Sequence, residues 1–482
     1  LLVILVWSQN RCRLESLHGL TAPIILPKDI FVMKNQFSPS RILLLQAAAL
    51  LGLCSMLTFS VLAQSNPSPG KPQTKPIWIT GAIIHDAVNP PYTGVIGFDK
   101  GEITYVGRGT EIRLDATNSE IIDARGQHVY PGFIALHTLL GLYEIESVRA
   151  TRDHTESGTL NPHVHALIAY NSDSRIVPTV RNHGVLLAQI APEGGLISGR
   201  SAVVQLDAWN WEDACVKAAD GMYVQWPSMS NSTGPRAPSA EEQNKARNLT
   251  LGSLENYLNE ARDYHLQSPS NDPSGNQRPI NLKLASASGL WNGQTKVFVR
   301  VGDAKGMVAA VEFFARWDLK PVLVGAEEAD QIQDWLATQK IDLILSKVHR
   351  LPNREGDPVY SAYDAPARLA RAGVRFGFSM DGAWNQRNLP YQAGHAVGFG
   401  LDTLRALQAL TLDAARILGI DQRYGSLEVG KSATLFLSAG DALDMRGNNP
   451  THAFVDGRRV NLDDKQKVLY RKFSEKYELP AR

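Results

Sequence analysis

A chain of 482 residues with 44% hydrophobic and 20% charged residues has globular composition, which excludes a largely disordered protein and leaves room for one large barrel with a smaller domain. Its 49 Lys and Arg offset 48 Asp and Glu to a formal charge of +1, so no electrostatic case exists for nucleic acid as a partner.

The chain opens on Leu1, and residues 1–32 show no coherent pattern, reading as translated upstream sequence. From Met33, Lys34 and Arg41 precede an apolar run that ends in Val61-Leu62-Ala63, the three parts of a secretory signal over residues 33–63. The expectation is an exported, periplasmic protein whose mature chain starts near Gln64. An uncleaved anchor is the alternative, since 42–63 is long enough to span a bilayer, and membrane contact is expected only through this leader. Cleavage would remove Cys12 and Cys54, leaving Cys215 without a disulfide partner and expected to be buried on a helix near Trp211.

Residues 64–75, rich in Pro, Ser and Lys, read as a flexible lead-in. Short strand-like runs at 77–84, 92–98, 102–106 and 120–123, separated by Gly, Pro and Asp turns, predict a small sheet domain. Then Pro131-Gly132 turns the chain into the apolar run of YPGFIALHTLLGL, which delivers His137 to its far end. Strand candidates follow at 181–190 and after Glu193-Gly194-Gly195, a Gly-rich turn that lacks the Lys-Ser or Lys-Thr ending of a nucleotide loop. The pair His163 and His165 has metal-like spacing only on a strand, where both side chains share a face.

A polar insertion over 227–285 carries one predicted helix, 240–265, either as a lid on the barrel or as a solvated excursion. A βα rhythm then becomes regular: strands at 296–301, 321–324, 341–345 and 374–378 alternate with helices at 304–317, 330–339, 362–372 and 403–418. Strand ends form the active face of a barrel, which selects His137, Arg300, Gly325, His349 and Asp381.

Three stretches carry a family resemblance: YPGFIALHTLLGL, the segment Phe378-Ser-Met-Asp381-Gly, and the tail GSLEVGKSATLFL (425–437) with PTHAFVDGRRV (450–460). Together they resemble the amidohydrolase superfamily of metal-dependent hydrolases, in its imidazolonepropionase-like subgroup. The resemblance implies an α/β fold: a TIM-type (β/α)8 barrel over 131–421, and a small β-sandwich built from 76–130 plus 422–482. It implies hydrolysis of a non-peptide C–N bond, in a cyclic amide or related small substrate, by water activated on one Zn or other divalent metal. Asp381 would be ligand and general base and His137 a catalytic ligand, with His349 as third donor and Glu193, taken as near the fourth strand, as another.

The chain departs from the family pattern at four places. Ala135 and Leu139 stand at the Asp and second His of the first strand, Arg300 at the fifth-strand His, and Gly325 near the sixth-strand His. Arginine has donors and no lone pair, so it cannot replace an imidazole on a metal. The competing expectation is a catalytically silent homologue in which Arg300 pairs with Asp381. Such a chain would bind a small carboxylate-bearing ligand through Arg300, Arg350, Arg354 or Arg387, with His349, Asn385 and His395 nearby, or would support an active partner subunit. Self-association into a homo-oligomer is the other partner expectation.

Overall fold

A computed structural model of the chain describes residues 67–109, 115–267 and 279–479, so the leader, Cys12 and Cys54 lie outside the described residues. The lead-in is tied down from residue 67 onward: Gly70 N donates to Asp207 Oδ2 at 2.8 Å, and Gln73 Nε2 to the carbonyl of Phe98 at 2.9 Å.

The first strands are β1 (Ile77–Ile84), β2 (Tyr92–Asp99), β3 (Glu102–Gly107), β4 (Glu120–Asp123) and β5 (His128–Pro131). A register shift between Thr80 and Ala82, with Gly81 at φ +72°, keeps Ala82 and Ile84 on the same buried face as Ile77 and Ile79. β2 and β3 continue antiparallel from one edge of β1, while β4 and β5 run parallel along its other edge.

Eight further strands follow: β6 (Phe133–Thr138), β7 (Val185–Ile190), β8 (Ile197–Gln205), β9 (Cys215–Gln225), β10 (Lys296–Val301), β11 (Val322–Gly325), β12 (Leu343–Leu345) and β13 (Phe376–Phe378). They pair in chain order, and a parallel bridge from Leu136 to Ser379 links the first to the last, so the sheet nearly closes into a barrel. It is not uniformly (β/α)8. β8 runs antiparallel to both neighbours, because only residues 191–196 separate it from β7. That length makes a hairpin, whereas a parallel return needs a crossover of about a dozen residues.

The interior is filled from below. Ile134, Leu136, Leu187, Phe298 and Val324 pack against Ile417 and Leu418 of the short helix Leu412–Leu418. The single closing helix expected at 403–418 is in fact two, Thr403–Leu410 and Leu412–Leu418. The break falls at Thr411, whose hydroxyl turns back to the carbonyl of Leu407 at 2.7 Å. Lys217 and Lys296 donate to the carbonyls of Leu418 and Ile417 at 2.8 and 2.7 Å, satisfying the groups that the helix end leaves open.

The chain then returns to the first sheet as β14 (Leu435–Ser438), β15 (Pro450–Val455) and β16 (Arg458–Arg459), with β14 antiparallel to β5. N- and C-terminal segments therefore make one eight-stranded mixed sheet, hydrogen-bonded throughout, where two facing sheets were expected. The insertion helix, Ala240–Leu266, starts at a Ser239/Glu242 capping box and buries Leu254, Tyr257, Leu258 and Ala261 against the barrel wall. Trp317 Nε1 donates to its Asn259 at 3.0 Å, which sets it beside the helix Ala304–Ala315.

Candidate functional site

The mouth of the barrel holds a cavity of about 390 Å³. His137, Glu146, His154, Glu193, Arg300 and Asp381 line it, together with Tyr143 and Arg152. His137, Glu193 and Arg300 each reach it for a structural reason. On β10, residues two apart share a face, so Arg300 points into the barrel above Phe298. On β6 the same alternation would turn His137 away from Leu136, but the strand is bulged between Ala135 and Thr138 and His137 adopts φ +48°. The bulge re-aims the imidazole inward, where it stacks on Tyr223 at 5.2 Å, and Tyr223 stacks in turn on Phe298 at 5.0 Å. Glu193 sits in the tight β7–β8 turn at the same end. It follows the second strand, not the fourth, because β8 is a hairpin return.

The charges pair differently from the sequence expectation. Arg300 Nη1 meets Glu193 Oε1 at 3.0 Å, while Asp381 Oδ2 meets Lys347 Nζ at 2.6 Å. The turn places Glu193 directly opposite the fifth strand, and Lys347, two residues beyond the end of β12, reaches Asp381 first. Part of the His137 ring faces the cavity, yet it lies deep in protein. Burial, and then the Arg300 charge, lower its pKa to about 3, so the imidazole is neutral at physiological pH.

A buried polar network holds His137 from behind. Gln189 Oε1 accepts from the backbone N–H of His137 at 3.1 Å and from the Tyr223 hydroxyl at 3.0 Å. Its Nε2 donates to Asp220 Oδ2 at 2.6 Å, and Ser201 donates to the other oxygen of Asp220 at 2.7 Å. Burial raises the Asp220 pKa despite these bonds. Sequence reasoning missed Gln189, Asp220, Tyr223 and Lys347. The available signals were polar residues inside apolar strand runs and a cation just past a strand end.

The other expected site residues lie elsewhere. His349, the expected third donor, turns to Gln392 (3.1 Å) and to the ring of His395, whose centroid is 4.0 Å away. Arg354 pairs with Glu328 at 2.6 Å and, with Arg350, lines a separate charged cavity. Asn385 and Arg387 belong to the 3-10 turn Trp384–Asn388, and neither lines the barrel cavity. Cys215 opens β9 and is half-buried, not on the helix expected for it, because the neighbouring helix Trp211–Ala214 ends before it. Among the described residues, none of the insertion lines the cavity.

The family of metal-dependent hydrolases implied by the sequence calls for a divalent cation here, and the donor set does not fit one. Among the described residues no three His, Cys, Asp or Glu side chains converge as ligands. Of the three carboxylates that line the cavity, Glu193 and Asp381 each pair with a cation, and the guanidinium at the fifth-strand position has no lone pair to offer.

Three comparisons bear on this architecture. An amidohydrolase from Thermotoga maritima MSB8 superposes with a TM-score of 0.69 at 21% identity, over 80% of this chain and 99% of that one. Molinate hydrolase superposes at 0.50 with 15% identity, over 82% and 95%. The amidohydrolase family model matches residues 350–460, which include the eighth strand, Asp381 and the returning strands β14 to β16. The match to the family model thus covers under a quarter of the chain, and the superpositions show a shared fold. A 5-methylthioadenosine/S-adenosylhomocysteine deaminase of Symbiobacterium thermophilum is 29% identical over 102 residues, 18% of this chain and 23% of the deaminase. The aligned part thus spans under a quarter of that curated relative. None of these matches singles out the imidazolonepropionase-like subgroup.

Proposed function

We propose that this protein is a member of the amidohydrolase family that binds a small carboxylate-bearing molecule at the barrel mouth, with Arg300 as the anchor. The supporting observation is the Arg300–Glu193 pair, with about a third of each side chain open to solvent, facing a cavity of about 390 Å³. A pair so placed is worth only about 0–1 kcal/mol, so a ligand carboxylate can take the place of Glu193 on the guanidinium at small cost. Arg152 supplies a second cation in the cavity lining, with no carboxylate in ion-pair contact among the described residues, and the Asp381 carboxylate, 63% exposed, suits a donor group on the same ligand. Export to the periplasm belongs to this proposal and rests on the leader pattern of residues 33–63.

Calorimetric titration with a panel of small mono- and dicarboxylates and amino acids tests the reading. Binding should weaken at least tenfold in Arg300→Gln, by loss of a charge-assisted pair worth about 1.5–3 kcal/mol. Absence of any carboxylate binding, or equal binding by Arg300→Gln, would overturn it. A second reading, hydrolysis of a small C–N bond, is favoured by His137 and Asp381 standing at the ends of the first and eighth strands. Turnover of a cyclic-amide panel that disappears in Asp381→Asn would establish that reading instead.

A further inference from the structure

We propose that the C-terminal helix Lys465–Lys476 docks on the surface of an anionic lipid bilayer. The helix is fixed at its base and unpartnered beyond it. Asp464 caps it by accepting from Lys467 N at 2.7 Å and also accepts from the Asn182 amide at 2.8 Å, while Gln466 accepts from the Thr179 hydroxyl at 2.9 Å. No residue of the helix itself is buried.

Its outer face has one composition. Leu469, Phe473 and Tyr477 recur every four residues with Tyr470 beside them, an arc of roughly 100° on an α-helix. They are 39%, 43%, 61% and 50% exposed respectively. Three aromatic rings and a leucine left in water on one stripe are the apolar half of an interfacial helix, and tyrosine is suited to the headgroup level.

The charges beside the stripe supply the other half. Of five cations on the helix, Lys467 is held by Asn182 at 3.0 Å and Arg471 by Asp463 at 2.6 Å. Lys465, Lys472 and Lys476 have no carboxylate partner among the described residues, and helical spacing sets all three along one edge of the apolar arc. Lys472 and Lys476 lie 6.0 and 5.1 Å from the Phe473 and Tyr477 ring centres, so cation and aromatic present together. Glu475 falls on the side of the helix away from the aromatic stripe. Free lysines flanking an exposed aromatic stripe complement anionic headgroups over acyl chains. No described helix is long and apolar enough to cross a membrane, so the contact is in-plane.

Co-sedimentation of the full chain with phosphatidylcholine vesicles, with and without phosphatidylglycerol, tests the proposal. Binding is expected only to the anionic vesicles and should weaken with added salt. The triple variant Lys465→Gln, Lys472→Gln, Lys476→Gln should lose about a hundredfold in affinity, roughly fivefold per lysine. Phe473→Ser with Tyr477→Ser should lose at least tenfold. All five positions are exposed, and an unchanged Tm confirms that each variant is folded. Equal binding to neutral vesicles overturns the proposal, as does binding that neither variant alters, the result expected if the leader makes the contact. It is also overturned if the aromatic variant converts a dimer to a monomer while vesicle binding stays the same, since the face would then join two copies of the chain.

Discussion

Gln189 does more for the site than any residue that faces the cavity. Three groups depend on it: the backbone of His137, the hydroxyl of Tyr223 and the buried carboxylate of Asp220. Gln189→Leu removes all three bonds without changing the apolar bulk much and leaves Asp220 with Ser201 as its side-chain donor. The expected cost is about 3 kcal/mol, since leaving a buried polar group unmet costs more than a hydrogen bond contributes. Urea unfolding measures it, and a loss below 1 kcal/mol would mean that the network does not constrain the strand end. His137, Arg300 and Asp381 were legible as strand-end residues from chain order, although alternation alone turns His137 outward and Glu193 was expected near another strand. The ion pairs were not legible. Which carboxylate a guanidinium meets depends on a turn of six residues, and Asp220 lies on a strand whose sequence, CVKAADGMYVQ, has no clean alternation.

At the level of elements, the junction of β1 and β5 carries a titratable pair. His85, just past β1, meets His128, the first residue of β5, with Nε2 and Nδ1 2.9 Å apart, and stacks on Tyr130 at 4.2 Å. Burial, then His128, lowers the His85 pKa to about 4, while Asp441 and Asp86 pull the other way; burial also lowers that of His128. Between pH 6.5 and 4 the unfolded chain therefore binds more protons at His85 than the folded one does. Stability present above pH 6.5 is lost as pH falls through this window, by up to about 3 kcal/mol for His85. His85→Phe keeps the ring stack and removes the titration, so its Tm should fall less than that of the wild-type protein between pH 7 and 5. Parallel curves would assign the acid sensitivity to other groups. The same scale shows what pattern reading reaches. The strand 296–301 was read to the residue, and the regular βα units to within a few residues, because each has a long apolar period. The β7–β8 hairpin was visible as Glu193-Gly194-Gly195. The expected uniform barrel concealed its meaning, although a connection of that length cannot make a parallel crossover.

Across the whole molecule, sheet and barrel are joined through Phe436. It lies on β14, yet its ring stacks on Tyr130 at 5.4 Å and meets Phe133, at the start of β6, edge-on at 4.9 Å. Gly184, just before β7, approaches so closely that a Cβ there would lie 2.4 Å from the Phe436 ring, and its φ of +83° also favours glycine. Phe436, Tyr130 and Phe133 thus belong to the main barrel core, while the neighbours of Phe436 on β14, Leu435 and Leu437, belong to the core of the small sheet. One strand faces two cores, and its two faces are covalently one element. Local loosening of the sheet must then expose the outer barrel core, so the described residues should unfold in a single step despite their two sheets. Phe436→Ala, which leaves a cavity at this joint, should cost about 3–5 kcal/mol. Native-state hydrogen exchange should show the loss equally in the β1–β2 amides and in the β10–β11 amides. Loss confined to β1–β2 would mean that the sheet opens alone, and the chain would then be two domains sharing a strand border instead of one cooperative unit.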